Sequence, residues 1–291
     1  MSQEPDFISQ QTTESKRFYL NLDPAPGDSL VVVCGGVERT SADYLIERSD
    51  FPFFGVELVA EGNGGLTLGH RSYQIAAGSV FAYGPGIAHR IENRTPAGMR
   101  KYFLDLHGED AKALFAEAGL LRGEPIIAGG LAELTDLWDS IAREARDGTD
   151  LAPEICQLLS RLLLLKIRQR RLATGEQRIP RAYRTYEGIR RHIEQHYLRT
   201  TSIEQVADEC DITPVYISRL FKKYSTTGAY QFLLRLRMNH AAELLMHERL
   251  KVQEIARRMG FADPFQFSRA FKRVYGFAPS KLSNRDETKT R

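Results

Sequence analysis

The sequence predicts a two-domain α+β protein in which a β-rich N-terminal domain with trailing helices precedes an all-α C-terminal domain. The chain has 291 residues, which is about the length of two ordinary domains. Short apolar runs separated by glycine-rich turns fill residues 29–107, and helical periodicity replaces them after Gly108. A short motif also occurs twice in the last third of the chain. These three observations together indicate the fold class.

Residues 29–107 have the pattern of an all-β sandwich or barrel, preceded by an N-terminal arm over residues 1–28. Phe53–Ala60 is an apolar run that ends at a glycine-rich turn, and Ser79–Tyr83 is another that ends at Gly84–Gly86. Short strands divided by turns of this kind are typical of sandwiches and barrels.

Residues 108–172 are predicted to be helical, and their last helix has an unusually wide apolar face. The predicted helices are Glu109–Ala118, Leu131–Arg146 and Pro153–Arg171. The third has a stripe of Ile155, Leu158, Leu162 and Leu165, widened by Leu159, Leu163 and Ile167. One stripe is enough for a helix that packs on its own domain. The extra width favours a dimerisation segment that meets the same helix of another subunit, and burial within the subunit is the alternative. The polar residues 173–183 are predicted to be a linker.

Charge is divided unevenly along the chain. Residues 1–179 carry 19 Lys/Arg and 25 Asp/Glu, whereas residues 180–291 carry 21 Lys/Arg and 12 Asp/Glu, so the net charges are −6 and +9. A basic segment beside an acidic one indicates a nucleic-acid-binding domain joined to a non-binding domain, although a solvated basic face has the same composition.

Cysteine usage and hydropathy favour a cytoplasmic protein without membrane segments. Cys34, Cys156 and Cys210 are too few and too far apart for a disulfide framework. The longest aliphatic run, Leu162–Leu165, is far shorter than the ~18 apolar residues that a spanning helix needs. The N-terminus has no signal-peptide pattern.

The repeated motif of the C-terminal third predicts two helix-turn-helix units, over residues 202–224 and 252–275. Ile217–Lys223 recurs as Phe267–Arg273 with an offset of 50, whereas the upstream echo of Val206 at Ile255 has an offset of 49. The difference predicts one additional residue in the second turn. Each copy therefore contains a helix, a tight turn and a second helix.

The outward side of each second helix has the residue types that read DNA. Arginine recognises guanine with two hydrogen bonds, and lysine neutralises phosphate. Gln266 either hydrogen-bonds adenine or caps its own helix. A connecting helix, Ala229–His247, lets one chain reach two successive major grooves, about 34 Å apart. The candidate DNA contacts are Val215, Ser218, Arg219, Lys222, Phe265, Gln266, Ser268, Arg269 and Lys272.

Residues 184–285 resemble the DNA-binding domain of the AraC/XylS family of transcription regulators. The resemblance is carried by Ile255–Asp263, Phe267–Lys272 and Gly276–Ser280. One departure follows Tyr224, where the family has a glycine and a polar segment with proline and this chain has Ser225–Ala229. Position by position, the resemblance implies that Val215, Ser218, Arg219, Gln266 and Arg269 contact bases.

Residues 29–107 are similar to the cupin-like sensor barrel of that family, chiefly over residues 78–93. The metal-binding His-x-His of cupin enzymes is missing, so no metal and no cofactor are expected. A metal-free barrel can hold a small ligand in its mouth. The candidate effector contacts are Phe54, Glu57, Tyr83, His89 and Tyr102. For His89, the alternative is that it only ties a loop by hydrogen bonds.

These expectations combine into a cytoplasmic, homodimeric transcription regulator that is not an enzyme. The resemblance implies that its partners are double-stranded promoter DNA, RNA polymerase and a small effector such as a sugar or another metabolite. Two alternatives stay open: a cupin metalloenzyme with a helical tether, and a constitutive regulator without an effector. Whether the protein acts as an activator or a repressor is also open.

Overall fold

The computed structural model describes residues 8–96, 98–172, 178–247 and 250–283, and the chain divides into two compact units. The first unit is residues 1–180, and the second is residues 181–291. Residues 173–177 of the predicted linker lie outside the described residues. The first helix of the second unit begins at Arg181, so the last three residues of the predicted linker are helical.

The first unit contains two antiparallel sheets. The six-stranded sheet has the order β1-β2-β9-β4-β7-β10, and the four-stranded sheet has the order β3-β8-β5-β6. The strands of the described residues are β1 (Thr12–Tyr19), β2 (Val31–Thr40), β3 (Leu45–Arg48), β4 (Phe54–Glu61), β5 (Asn63–Leu68), β6 (Arg71–Ala76), β7 (Ser79–Tyr83), β8 (His89–Asn93), β9 (Arg100–His107) and β10 (Ile126–Ile127).

Strand β1 corrects the prediction that residues 1–28 form only an arm. It pairs with β2 from Thr12 opposite Thr40 to Tyr19 opposite Cys34. Of its residues only Phe18 is buried in the core, and most of the others are polar. This edge strand therefore lacks the apolar pattern by which the other strands could be predicted.

The six-stranded sheet has a different core on each face. One face contributes side chains such as Val59, Phe81 and Phe103 to a core inside the sandwich. The other packs under helices α1 (Glu109–Glu117), α2 (Leu131–Asp147) and α3 (Ala152–Arg170). Val56 and Leu104 belong to this second core. Because successive strand residues point to opposite faces, one strand serves both cores.

Helix α3 divides its wide apolar face between the core and the surface. Leu163 and Ile167 are fully buried beneath it. Leu158 is 61% exposed, and Leu162 and Leu165 are exposed beside it. The residues that widen the predicted stripe thus pack within the unit, and most of the predicted stripe itself faces outward.

The second unit is entirely helical in its described part. Its helices are α4 (Arg181–His196), α5 (Ile203–Glu209), α6 (Pro214–Tyr224), α7 (Ala229–His247), α8 (Val252–Arg258), α9 (Pro264–Tyr275) and α10 (Ser280–Ser283). Helix α4 was not predicted. Tyr186 of α4 meets Phe221 of α6 edge to face, with 5.1 Å between the ring centroids, so α4 supports the first motif.

The two helix-turn-helix units have side-chain caps at the starts of α5, α6 and α9 and the predicted turn lengths. The hydroxyls of Ser202 and Thr213 each accept a hydrogen bond from the backbone N–H three residues on, at 3.2 Å. The first turn spans residues 210–213, and the second spans residues 259–263. The second turn is therefore longer by the one residue that the repeat offsets predicted.

No helix of the described residues is both long and apolar enough to cross a bilayer.

Candidate functional site

A buried ionic network lies inside the sandwich of the first unit. The Nζ of Lys101 is 2.7 Å from Oε2 of Glu57 and 3.0 Å from Oε1 of Glu38. Arg17 approaches Glu38 from β1 at 3.1 Å. The hydroxyl of Tyr83 donates to Oε1 of Glu57 at 2.7 Å. All of these residues except Arg17 are buried in the unit.

The pKa values in this network reflect burial and close charges. Burial alone lowers the pKa of Lys101, but Glu38 and Glu57 outweigh it, so the pKa lies well above the usual value. Burial raises the pKa of Asp105 to about 7, and Glu57 adds to the rise. The Cys34 thiol donates to Oδ2 of Asp105 at 3.3 Å. Oδ1 of the same carboxyl is buried and has no hydrogen-bond partner among the described residues.

His89 lies beside this network in an aromatic cluster. Its ring stacks on Tyr83 with 3.9 Å between centroids, and Phe51 meets both rings edge to face. Nδ1 is 3.3 Å from the carbonyl oxygen of Ile87, whereas Nε2 is buried and has no hydrogen-bond partner in the described part of the chain. Burial lowers the pKa of His89. His89 therefore makes the loop hydrogen bond that the sequence analysis gave as the alternative, while its role as an effector contact stays a prediction.

The predicted effector contacts do not form one site. Glu57 and Tyr83 line the interior pocket, and His89 stacks against it. Phe54 instead packs on Phe115 of α1, with ring centroids 5.7 Å apart. Tyr102 lies 6.0 Å from Trp138 of α2 by the same measure. Including Phe54 and Tyr102 in the pocket was wrong, because strand alternation puts them on the outer face of the sheet.

The prediction also missed most of the charged residues of the pocket. Lys101, Phe103 and Asp105 alternate along β9 and all line the interior. Lys101 and Asp105, two charged residues on the same face of a largely buried strand, were a readable signal. The missed polar and charged lining residues are Ser9, Glu38, Tyr44, Arg48, Lys101 and Asp105.

The pocket itself is small and is partly filled by the chain. Its volume is about 20 Å³, which is close to the space that one water needs. Ile8 and Ser9 form part of its wall, and the carbonyl of Ser9 accepts a 2.6 Å hydrogen bond from Arg17. Within the described residues, no cluster of three or more His, Cys, Asp or Glu side chains could hold a metal ion.

The second helix of each motif has a core face and an open face. Ile217 and Phe221 of α6 are buried, as are Phe267 and Phe271 of α9. On the open face, every predicted DNA contact is exposed except Ser268, which is half-buried. The exposed residues are Val215, Ser218, Arg219, Lys222, Phe265, Gln266, Arg269 and Lys272.

The open faces carry unneutralised cations and exposed apolar side chains at matching positions. Val215 is 69% exposed and Phe265 is 77% exposed, each as the second residue of its helix. In the described part of the chain, neither Arg219 nor Arg269 forms an ion pair. The α9 cap is Asp263, which accepts from the Phe265 backbone N–H at 2.9 Å. The side-chain amide of Gln266 makes no hydrogen bond to a described residue, so it is open to a partner.

Two family models match the chain, one in each unit. An AraC-like ligand binding domain matches residues 32–178, just over half of the chain. The chain belongs to the AraC family. A helix-turn-helix domain model matches residues 206–285. The predicted fold class, a β-rich sensor domain with a helical DNA-binding domain, is thereby confirmed.

Relatives of this AraC family protein are operon regulators. It is similar to the Msm operon regulatory protein of Streptococcus mutans, with 22% identity over 85% of this chain and 90% of that one. It is also similar to the Lactose operon transcription activator of Staphylococcus xylosus, with 21% identity over 87% and 91%. The C-terminal domain of AraT, a response regulator from Geobacillus stearothermophilus, shares 32% identity over 36% of this chain and 87% of that one, with a TM-score of 0.33. This member of the AraC family is an effector-controlled, DNA-binding transcription regulator.

Proposed function

We propose that α6 and α9 read promoter DNA in two successive major-groove segments through their open faces. The observation that carries this proposal is the pair of exposed, unpaired arginines, Arg219 and Arg269, at equivalent positions of two capped helices. Arginine forms two parallel hydrogen bonds with guanine. Val215 and Phe265 offer apolar contact to thymine methyl groups, and Lys222 and Lys272 neutralise phosphates.

Variants that separate base reading from phosphate binding test this assignment. Full-length protein is used to select binding sites from random duplex DNA, and affinities are then measured on the selected and on unrelated duplexes. Arg219→Ala and Arg269→Ala each lose about 1–3 kcal/mol on the selected site, a factor of roughly 5–150, and relax the preference at one base pair. The matched Lys222→Ala weakens all duplexes alike and reduces the salt dependence. Unchanged sequence preference in both arginine variants contradicts the assignment.

The interior pocket of the first unit is the proposed effector site, with a sugar or a related small metabolite as the effector class. The relatives that regulate lactose and other operons support this class. The ionic network offers both hydrogen-bond donors and hydrogen-bond acceptors, and the rings of Phe51 and Tyr83 offer flat apolar surfaces. Glu57, Tyr83 and His89 are the proposed contacts that were also predicted from the sequence.

Effector binding is measured by the thermal stability of the full-length protein against a panel of sugars and related metabolites. A ligand that binds the folded state raises the melting temperature by mass action. The expected result is a rise for the wild type and a smaller rise for Glu57→Gln. A panel without any effect contradicts a sugar or related metabolite as the effector class.

The exposed leucines of α3 are proposed as the homodimer interface. Leu158, Leu162 and Leu165 form an apolar face that the unit itself leaves open, and burying apolar surface drives association. Sedimentation equilibrium distinguishes the outcomes: Leu158→Glu gives monomers, whereas Leu22→Glu, at an exposed leucine elsewhere, keeps the wild-type state. A monomeric wild type contradicts the dimer.

The proposal also includes RNA polymerase as a partner and the cytoplasm as the place where the promoter-bound dimer acts. The absence of catalysis is part of it as well, since the relatives are transcription regulators.

A further inference from the structure

Arg237 is a buried cation on the helix that connects the two motifs. It is 6% exposed and lies on the buried stripe of α7, beside Leu233, Leu234, Met238 and Ala241. Burial lowers the pKa of its guanidinium. A buried charge is costly unless it is hydrogen-bonded. Within the described residues it forms no ion pair with a carboxylate, and its Nη2 donates to the backbone carbonyl oxygen of Met259.

Met259 directly follows α8 and begins the second turn, where the backbone N–H groups that come next donate to other carbonyls. Gly260 has φ +70, a left-handed conformation that favours glycine. The N–H groups of Gly260 and Phe261 donate back to the carbonyls of Arg257 and Ala256, both at 2.9 Å. Terminal helix carbonyls carry partial negative charge. The guanidinium of Arg237 therefore acts as a C-terminal cap supplied by another helix.

Arg237 also contacts the far side of the same turn. Its guanidinium carbon lies 5.3 Å from the centroid of the Phe261 ring, within the range of a cation–π interaction. A Cβ placed on Gly260 would lie 3.5 Å from Nη2 of Arg237 and 3.8 Å from Cγ2 of Thr201. Thr201 directly precedes Ser202, the cap of α5. The connecting helix, the second turn and the start of the first motif thus meet at one point.

We propose that Arg237 is a positioning residue that fixes the second recognition helix relative to the first and so sets the base-pair spacing that one chain accepts. This inference rests on the proposed reading of DNA by α6 and α9. A planar guanidinium can hydrogen-bond a carbonyl and cover an aromatic ring at once. A lysine ammonium retains the charge without the planar fork, and methionine retains only the bulk.

The test measures spacing tolerance with the full-length protein. A duplex selected by the wild type is altered by inserting or deleting one base pair between the segments bound by the two motifs. One base pair moves the second segment by about 3.4 Å and rotates it by about 34°. The wild type is expected to lose at least about 30-fold in affinity on the altered duplexes, whereas Arg237→Met loses no more than about 5-fold, with Arg237→Lys in between. The matched control Arg235→Met, at an exposed position of α7, keeps the wild-type ratio.

The ratio of affinities separates positioning from mere destabilisation, because a loss of folded protein lowers binding to every duplex equally. An equal spacing penalty in wild type and Arg237→Met overturns the inference while DNA reading stands, and so does a wild type indifferent to spacing. If the wild type selects no DNA, the proposed function fails and the inference fails with it. If circular dichroism shows no cooperative melting of the second unit in either Arg237 variant, the residue serves folding alone and the inference is likewise overturned.

Discussion

Replacing Lys101 with methionine removes the cation at the centre of the buried ionic network. The change leaves two carboxylates in the sandwich without their shared partner. Glu38 retains Arg17 at 3.1 Å, and among the described residues Glu57 retains only the hydroxyl of Tyr83 at 2.7 Å. Glu57 therefore becomes the less compensated of the two charges, and most of the cost of the substitution arises there.

The expected loss is about 3–5 kcal/mol, the usual cost of removing one member of a buried ion pair. For a unit of about 180 residues, this corresponds to a fall of roughly 6–20 °C in melting temperature. Adding Glu57→Gln to Lys101→Met restores at least about 1 kcal/mol, because the amide carries no charge to be buried. The exposed pair Arg39–Glu61, at 2.7 Å, supplies a control, since Arg39→Met costs less than about 1 kcal/mol.

Urea unfolding followed by tryptophan fluorescence measures these losses in the first unit alone. The chain has one tryptophan, Trp138, which is buried between α2 and the sheet. A loss in Lys101→Met no larger than that in Arg39→Met would refute the view that the network is an integrated ionic core. So would a double variant less stable than Lys101→Met.

Three further predictions concern pH, packing and capping. Asp105 has a pKa of about 7 in the folded state, against 3.8 for the free side chain, so the folded state binds the proton more tightly than the unfolded state. Stability therefore falls as the pH rises from about 4 to 7, by an amount of the order of 4 kcal/mol. Asp105→Asn removes that pH dependence in urea titrations. Leu163→Ala costs about 2–5 kcal/mol and Leu22→Ala less than about 0.5 by the same fluorescence assay, because Leu163 is buried and Leu22 is exposed; equal losses contradict the burial of Leu163 beneath α3. Thr213→Ala costs about 1 kcal/mol in thermal melts followed by circular dichroism, since α6 loses its cap; an unchanged melting temperature contradicts this.

Much of the helical second unit could be predicted from local signals in the sequence. The caps at Ser202 and Thr213 depend on residues three positions apart, and the turn lengths were predicted by comparing the two copies of the motif. Helix α4 was missed although Tyr183, Tyr186 and Ile189 have helical spacing and are buried. No repeated motif lies beside this helix, so the spacing of its apolar residues was the signal by which it could have been predicted.

The sandwich was harder to predict, because its site depends on which face of a strand each residue occupies. Phe54 and Tyr102 are aromatic residues on the correct strands, but a shift of one position reverses the face. Glu38 and Lys101 come together only through the pairing of β2 with β9. Strand β1 has few apolar residues, and its place follows from hydrogen bonds to a strand more than ten residues away.

The presence of Ile8 in the interior sets a concentration threshold for any effector that uses this pocket. Common small-molecule sites enclose about 300–1,000 Å³, so an effector must first displace the buried Ile8 side chain. Exposing such a side chain costs about 1.5–3 kcal/mol, which weakens the apparent affinity by roughly 10- to 150-fold relative to an open pocket. A regulator that senses a metabolite through this pocket would therefore need a concentration of it roughly 10- to 150-fold higher than an open pocket requires.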